Sequence, residues 1–288
     1  MIEQLADFLA FDAVGEGEFR AEALQPRFPT RAECEADARV HTPPFDPQDG
    51  VMIVGSYLMG LAVVVAAATL NDPKLVPLSS HTTFLRAGTF GEEVHMAVEF
   101  SQDARRFARR RVVFAQQQRT FFTCDLGFHR PDEPDDGWER NPSPLLDVDT
   151  LESAPCTFFW PIMEVRPISG PQVHALFDIT SPLWFRFPYG LPESPHWSAA
   201  ALSYAADYFT AQSMMLASGR TFEEFSSRTL EHSMWFHRPI DATAWAQMDY
   251  QPLSLADQRY QALGTIHDRD GKLAATMMQT GIMFPNAS

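Results

Sequence analysis

The sequence predicts an α+β protein built as two tandem halves, each a long helix wrapped by an antiparallel β-sheet. Three observations carry that expectation. Two stretches of helical length, 51–70 and 195–216, are too apolar or too rich in small residues to lie open to water. Each is followed by a series of short strand-like runs. The most polar and proline-rich interval of the chain separates the two series.

In the first half a strand is expected near Glu18–Leu24, followed by an irregular stretch to about Gly50. Val51–Leu70 is twenty residues without a charge, which is the length of a membrane span. Gly55, Ser56 and Gly60 lie near its start, and Asp46 and Asp49 precede it where a span would have basic flanks. A helix buried inside a wrapped sheet accounts for it without a bilayer, so no membrane span is expected. Strands follow at Leu75–Arg86, Glu92–Ser101, Arg109–Gln117 and Thr120–His129. The linker is placed at 131–155, which divides the chain into domains at 1–130 and 156–288; it holds Pro131-Asp132-Glu133-Pro134-Asp135-Asp136-Gly137 and Asn141-Pro142-Ser143-Pro144.

Beyond the linker the order recurs. Strands are expected at Ile162–Ile168 and Leu183–Phe187, a helix at Pro195–Leu216, and strands at Thr229–Arg238, Ala246–Tyr250, Tyr260–His267 and Leu273–Phe284. Phe84-Leu85-Arg86 follows the first helix as Phe236-His237-Arg238 follows the second, which points to a tandem pair of domains. The alanines of the second helix, Ala199 to Ala201 with Ala205 and Ala206, permit close approach to its axis.

Composition narrows the function. A net charge of −15 in 288 residues excludes a sequence-independent grip on nucleic acid and disfavours an anionic membrane as partner. Cys34, Cys124 and Cys156 show neither metal-ligand spacing nor the density of a disulfide scaffold, and no basic secretory leader opens the chain, so a reducing, cytoplasmic setting is expected. Gly-rich phosphate loops and a Gly-x-Ser-x-Gly elbow are absent from the sequence, and no cofactor is expected.

Chemistry concentrates in the run Thr229-Leu230-Glu231-His232-Ser233-Met234-Trp235-Phe236-His237-Arg238-Pro239. Strand alternation sends Thr229, Glu231, Ser233, Trp235 and His237 to one face, and Leu230, His232, Met234, Phe236 and Arg238 to the other. His232 and His237 thus fall on opposite faces and make no metal pair. Asp207 sits among Tyr204, Tyr208 and Phe209 in a helix meant to be enclosed, where a bare carboxylate is costly. Asp207, Thr229 and Gln279 together offer donors and acceptors enough to hold one water. Arg109 and Arg110, in the run Arg109-Arg110-Arg111, either attract phosphates or pair with acids on a solvated face.

The Thr229–Pro239 run resembles the signature strand of the type II (TesB-like) acyl-CoA thioesterases, the double hot-dog family. Met163-Glu164-Val165-Arg166-Pro167, Tyr204-Ala205-Ala206-Asp207, His267-Asp268-Arg269-Asp270-Gly271 and Gln279-Thr280-Gly281 are similar as well. The resemblance implies two hot-dog folds in tandem, hydrolysis of an acyl-CoA or other acyl thioester to a carboxylic acid, and Asp207, Thr229 and Gln279 as the catalytic set. It also implies substrate contacts at Gly55, Ser56, Tyr57 and Gly281. One departure stands out: the family's Phe-Gly-Gly-Gln is Val54-Gly55-Ser56-Tyr57 here, and Leu24–Asp49 reads as an altered loop over the site. That departure keeps open a related enzyme of specialised acyl or polyketide metabolism, or a non-catalytic acyl-ligand binder. One chain already supplies the pairing of two hot-dogs, yet the sheet edges and the resemblance favour a homodimer.

Overall fold

A computed structural model describes residues 4–23, 52–132, 138, 147–151, 162–168 and 181–286. The loop expected at Leu24–Asp49 and most of the 131–155 interval lie outside the described residues. A short helix α1 (Leu5–Phe8) leads into β1 (Asp12–Gly15) and β2 (Glu18–Glu22). Helix α2 (Gly55–Ala67) is followed by β3 (Val76–Phe84), β4 (Glu93–Asp103), β5 (Phe107–Gln116) and β6 (Arg119–His129). The second half holds β7 (Glu164–Pro167), β8 (Leu183–Arg186), helices α3 (Pro195–Ala206) and α4 (Thr210–Ser218), β9 (Phe225–Phe236), β10 (Ala246–Ala256), β11 (Arg259–His267) and β12 (Leu273–Pro285).

All twelve strands join one antiparallel sheet in the order β1-β2-β4-β5-β6-β3-β9-β12-β11-β10-β8-β7. That order is a palindrome: adding six to each strand of the first half gives the second half read from the far edge. The halves meet where β3 pairs with β9, Ser80 opposite Met234 and Thr82 opposite His232. The bulges repeat too. Leu78 and Ser101 are the extra residues of β3 and β4, and Leu230 and Leu253 those of β9 and β10, each pair 152 positions apart.

Both long helices lie against this sheet, and every residue of α2 from Ser56 to Ala66 is buried. Uniform burial is what an uncharged, apolar sequence requires. The small residues serve a helix–helix crossing: a methyl at Gly60 would stand 3.2 Å from the Ala200 carbonyl oxygen of α3. No helix among the described residues is long and apolar enough to cross a membrane.

Three local expectations are corrected. The second helix does not run unbroken to Leu216: α3 stops at Ala206, Asp207 caps it, and Phe209 takes a left-handed φ of 74° before α4 begins. A positive φ on a bulky residue is strained and marks a position held by its surroundings. Strand β9 starts at Phe225, so Thr229 lies inside it. Lastly, the alternation read for this strand fails at Leu230, because Glu231 pairs with Thr280 while Thr229 pairs with Gly281. His232, Met234 and Phe236 are buried and Glu231 and Trp235 exposed, as alternation demands, but the bulge reverses parity before them and turns Thr229 inward.

Candidate active site

Asp207, Thr229 and Gln279 arrive from three elements and meet in one hydrogen-bonded row. The Thr229 hydroxyl donates to Asp207 Oδ1 at 3.0 Å, and Gln279 Nε2 donates to Thr229 Oγ1 at 3.0 Å. Their order follows from chemistry. An ionised Asp207 only accepts, so the single proton of Thr229 goes to it, and Thr229 must then accept from the amide nitrogen of Gln279. The second proton of that nitrogen points to the Tyr260 phenol, 3.3 Å away. Gln279 is buried, and its Oε1 has no partner among the described residues. The row therefore ends in two acceptors, the carboxylate of Asp207 and the amide oxygen of Gln279.

Asp207 stands where two helix ends meet. It caps the C-terminus of α3, and the Ser56 N–H, in the first turn of α2, donates to its carboxylate. That amide is one of the orphan donors of a helix start. Burial raises the Asp207 pKa to about 6, against the opposing hydrogen bonds from Thr229 and Ser56. Gly55 is dictated by the approach: a Cβ there would lie 2.4 Å from Asp207 Oδ2 and 2.9 Å from the Phe84 ring. His232, across from Gln279 on β9, is pushed by burial down to about 4 and is neutral near pH 7; the Ala206 carbonyl acts in the other direction.

The remaining sequence candidates separate. Gly55 and Ser56 are at the site, through steric room and a backbone N–H. Ser56 Oγ is buried without a partner among the described residues. Tyr57 is fully buried and packs edge-on against Phe8, with ring centroids 4.9 Å apart. Gly281 lies under the ring of Tyr260, where a Cβ would fall 2.3 Å from Cζ. Arg109 is exposed on the outer face of β5. Arg110 points the opposite way, is buried, and donates to Thr69 Oγ1 at 2.9 Å, to the Gln102 carbonyl at 3.1 Å and to Asp103 Oδ1 at 2.7 Å. These bonds tie it to the turn that ends α2, not to the Asp207 row.

Sequence reasoning missed Tyr260 and the Ser56 amide. Tyr260 could have been found only from strand register, which sets it opposite Gly281. A backbone donor leaves no mark on the sequence.

Comparison with known proteins agrees with this architecture. The family model of the acyl-CoA thioesterase C-terminal domain matches residues 158–283, and that of the N-terminal domain matches residues 41–128. Human acyl-coenzyme A thioesterase 8 is 25% identical over 258 residues, which cover 80% of each chain. Acyl-CoA thioesterase 2 of Haemophilus influenzae is 22% identical over 262 residues, covering 80% of this chain and 87% of its own. Among solved structures, the acyl-CoA thioesterase II TesB2 from Mycobacterium marinum superposes with a TM-score of 0.73 at 22% identity, covering 98% of this chain and 97% of that one. A hot-dog fold protein from Alicyclobacillus acidocaldarius gives a TM-score of 0.74 at 17% identity, with 98% of each chain covered. The fold is thus the tandem double hot-dog, and with both family models matched in order along one chain, the protein belongs to the acyl-CoA thioesterase family.

Proposed function

We propose that this protein hydrolyses an acyl-CoA thioester to a carboxylic acid and CoA, with Asp207 as general base and Thr229 and Gln279 as the groups that position the water. The observation that carries the reading is the polarised row Gln279–Thr229–Asp207, which leaves Gln279 Oε1 without a partner among the described residues and ends at the Asp207 carboxylate, whose oxygens can accept beyond the bonds from Thr229 and the Ser56 N–H. A water needs two acceptors for its protons, and the Asp207 carboxylate and Gln279 Oε1 provide them.

In the reaction one proton of the water passes to Asp207 as its oxygen attacks the thioester carbonyl. The tetrahedral intermediate then expels the CoA sulfur, which recovers the proton from Asp207. Negative charge on the carbonyl oxygen is met by first-turn amides of α2 other than that of Ser56, which is held by Asp207; the helix itself supplies these amides no partner. A base with a pKa near 6 is ionised at neutral pH yet basic enough to take a proton. The reading extends to a cytoplasmic, homodimeric enzyme. A cytoplasmic setting is supported by three dispersed cysteines, of which Cys124 is free and buried, and sedimentation checks the dimer.

Thiol release from acyl-CoAs of graded chain length tests the proposal. The wild type is expected to release thiol with kcat/KM rising through about pH 6, and Asp207→Asn to lose that activity by about 10²-fold or more. Absence of thiol release at every chain length, or full activity in Asp207→Asn, would falsify it.

A further inference from the structure

Tyr260 occupies β11 directly opposite Gly281 of β12. Its side chain does not stay on its own strand. It crosses the bare backbone at Gly281, where an added Cβ would meet Cζ at 2.3 Å and the phenol oxygen at 2.4 Å. The crossing delivers the phenol 3.3 Å from Gln279 Nε2 and 3.3 Å from Ser227 Oγ on β9. Tyrosine and glycine here are one device: the glycine is the slot and the ring fills it.

The first half lacks that device. At the equivalent register position of the first half, Ala108 of β5 faces Phe128 of β6, so the large and small residues have exchanged strands. Packing volume alone is served by either arrangement. Only the second half brings the ring from the neighbouring strand, and only there does the ring carry a hydroxyl.

A second tyrosine repeats the geometry. Tyr250 of β10 faces Gly264 of β11, whose Cβ would lie 2.6 Å from its ring, and its phenol donates to the Ala206 carbonyl that precedes Asp207. The equivalent first-half pair is Val98 opposite Val112, without a phenol. Two phenols therefore converge on the Asp207 row from one side of the sheet. Both are buried, and burial pushes the Tyr260 hydroxyl up to about 12, so it keeps its proton across the working range.

We infer that Tyr260 is a positioning residue of the hydrolytic site, laid across Gly281 so that its phenol holds the Gln279 amide with Nε2 toward Thr229 and Oε1 open to the attacking water. This rests on the proposed hydrolysis and deepens it. Without the phenol, Gln279 Nε2 keeps only Thr229 as a partner, and the amide is free to swing away from the geometry that orients the water. The effect falls on turnover, because the phenol acts on the water through Gln279 and not on the acyl chain.

The test is steady-state kinetics of the full chain on whichever acyl-CoA the wild type hydrolyses fastest in the chain-length series. Tyr260→Phe is expected to lower kcat about tenfold, the scale of one hydrogen bond lost from a group acting in the transition state, with KM unchanged and the fold retained at a somewhat lower Tm. In a Gln279→Ala background the same substitution is expected to have no further effect on kcat, since the group it positions is gone. Gly281→Ala, which displaces the ring, is expected to lower kcat at least as far. Wild-type kcat in Tyr260→Phe, an undiminished effect in the Gln279→Ala background, or wild-type kcat in a folded Gly281→Ala overturns the inference. Asp207→Asn in the same assay separates the two levels: if it abolishes turnover while Tyr260→Phe does not alter it, only the role of Tyr260 falls.

Discussion

On the proposed mechanism, Asp207 couples catalysis to stability with a definite sign. Its pKa in the fold, about 6, lies above the ordinary 3.8, so the native state holds the proton more tightly than the unfolded chain does. The favourable contribution is complete below about pH 3.8 and is lost as pH rises through about 6. At neutral pH the ionised carboxylate therefore costs stability, and Asp207→Asn, neutral and of equal shape, is expected to melt at a higher temperature than wild type at pH 8 while losing activity. His232 acts with the opposite sign. Depressed to about 4, it supports the fold above its ordinary 6.5, and that support drains away as pH falls through about 4. The Tm difference between variant and wild type should thus be largest at pH 8 and shrink towards pH 4, where His232 contributes equally to both. A difference that is flat with pH, or largest in acid, would show that burial does not govern Asp207.

Elements were legible where one physical rule decides them, and obscure where register does. Helix α2 could be read because an uncharged run of that length has only two homes, a bilayer or a protein interior. The convergence of Asp207, Thr229 and Gln279 followed from residue type and the family resemblance. The inward aim of Thr229 did not, because the extra residue of the bulge is Leu230, an ordinary strand former that leaves the apolar pattern intact. Nor does any residue type announce the left-handed Phe209 that separates α3 from α4. The arginine run was ambiguous for a similar reason, since alternation separates Arg109 from Arg110 without saying which face is inside. Arg110 proves to clamp the end of α2, with its guanidinium also stacked 4.5 Å over Phe100. Arg110→Ala is expected to cost about 2–3 kcal/mol, less than a fully buried ion pair because Asp103 is half exposed, and to leave the KM for acyl-CoA unchanged. Denaturant unfolding and KM, measured together, check this; a raised KM with stability intact would mean that Arg110 reaches the substrate.

At the scale of the whole molecule, a repeated frame carries a site only once. The bulges recur in both halves, yet the first-half counterparts of Thr229, Gln279 and Gly281 are Pro77, Leu126 and Phe128, none of which can hold a water. What the first half supplies instead is a helix start. The N-terminus of α2 reaches across to the C-terminus of α3, and the Ser56 amide bonds to a carboxylate about 150 positions later in the chain. Such a contact demands that nothing intervene, and Gly55 provides the room. Gly55→Ala should therefore act at a distance in sequence: its methyl, which has Asp207 Oδ2 at 2.4 Å on one side and Phe84 at 2.9 Å on the other, forces the carboxylate aside. Alanine is the better helix former by about 1 kcal/mol, so α2 and the circular dichroism of the fold should survive. Turnover should fall by about 10²-fold, the cost of misplacing a reacting group by an ångström. In an Asp207→Asn background the added methyl should change nothing further in the residual rate. A folded Gly55→Ala protein with wild-type kcat would show that the two halves do not build the site together, because the carboxylate would then work without its seat at the start of α2.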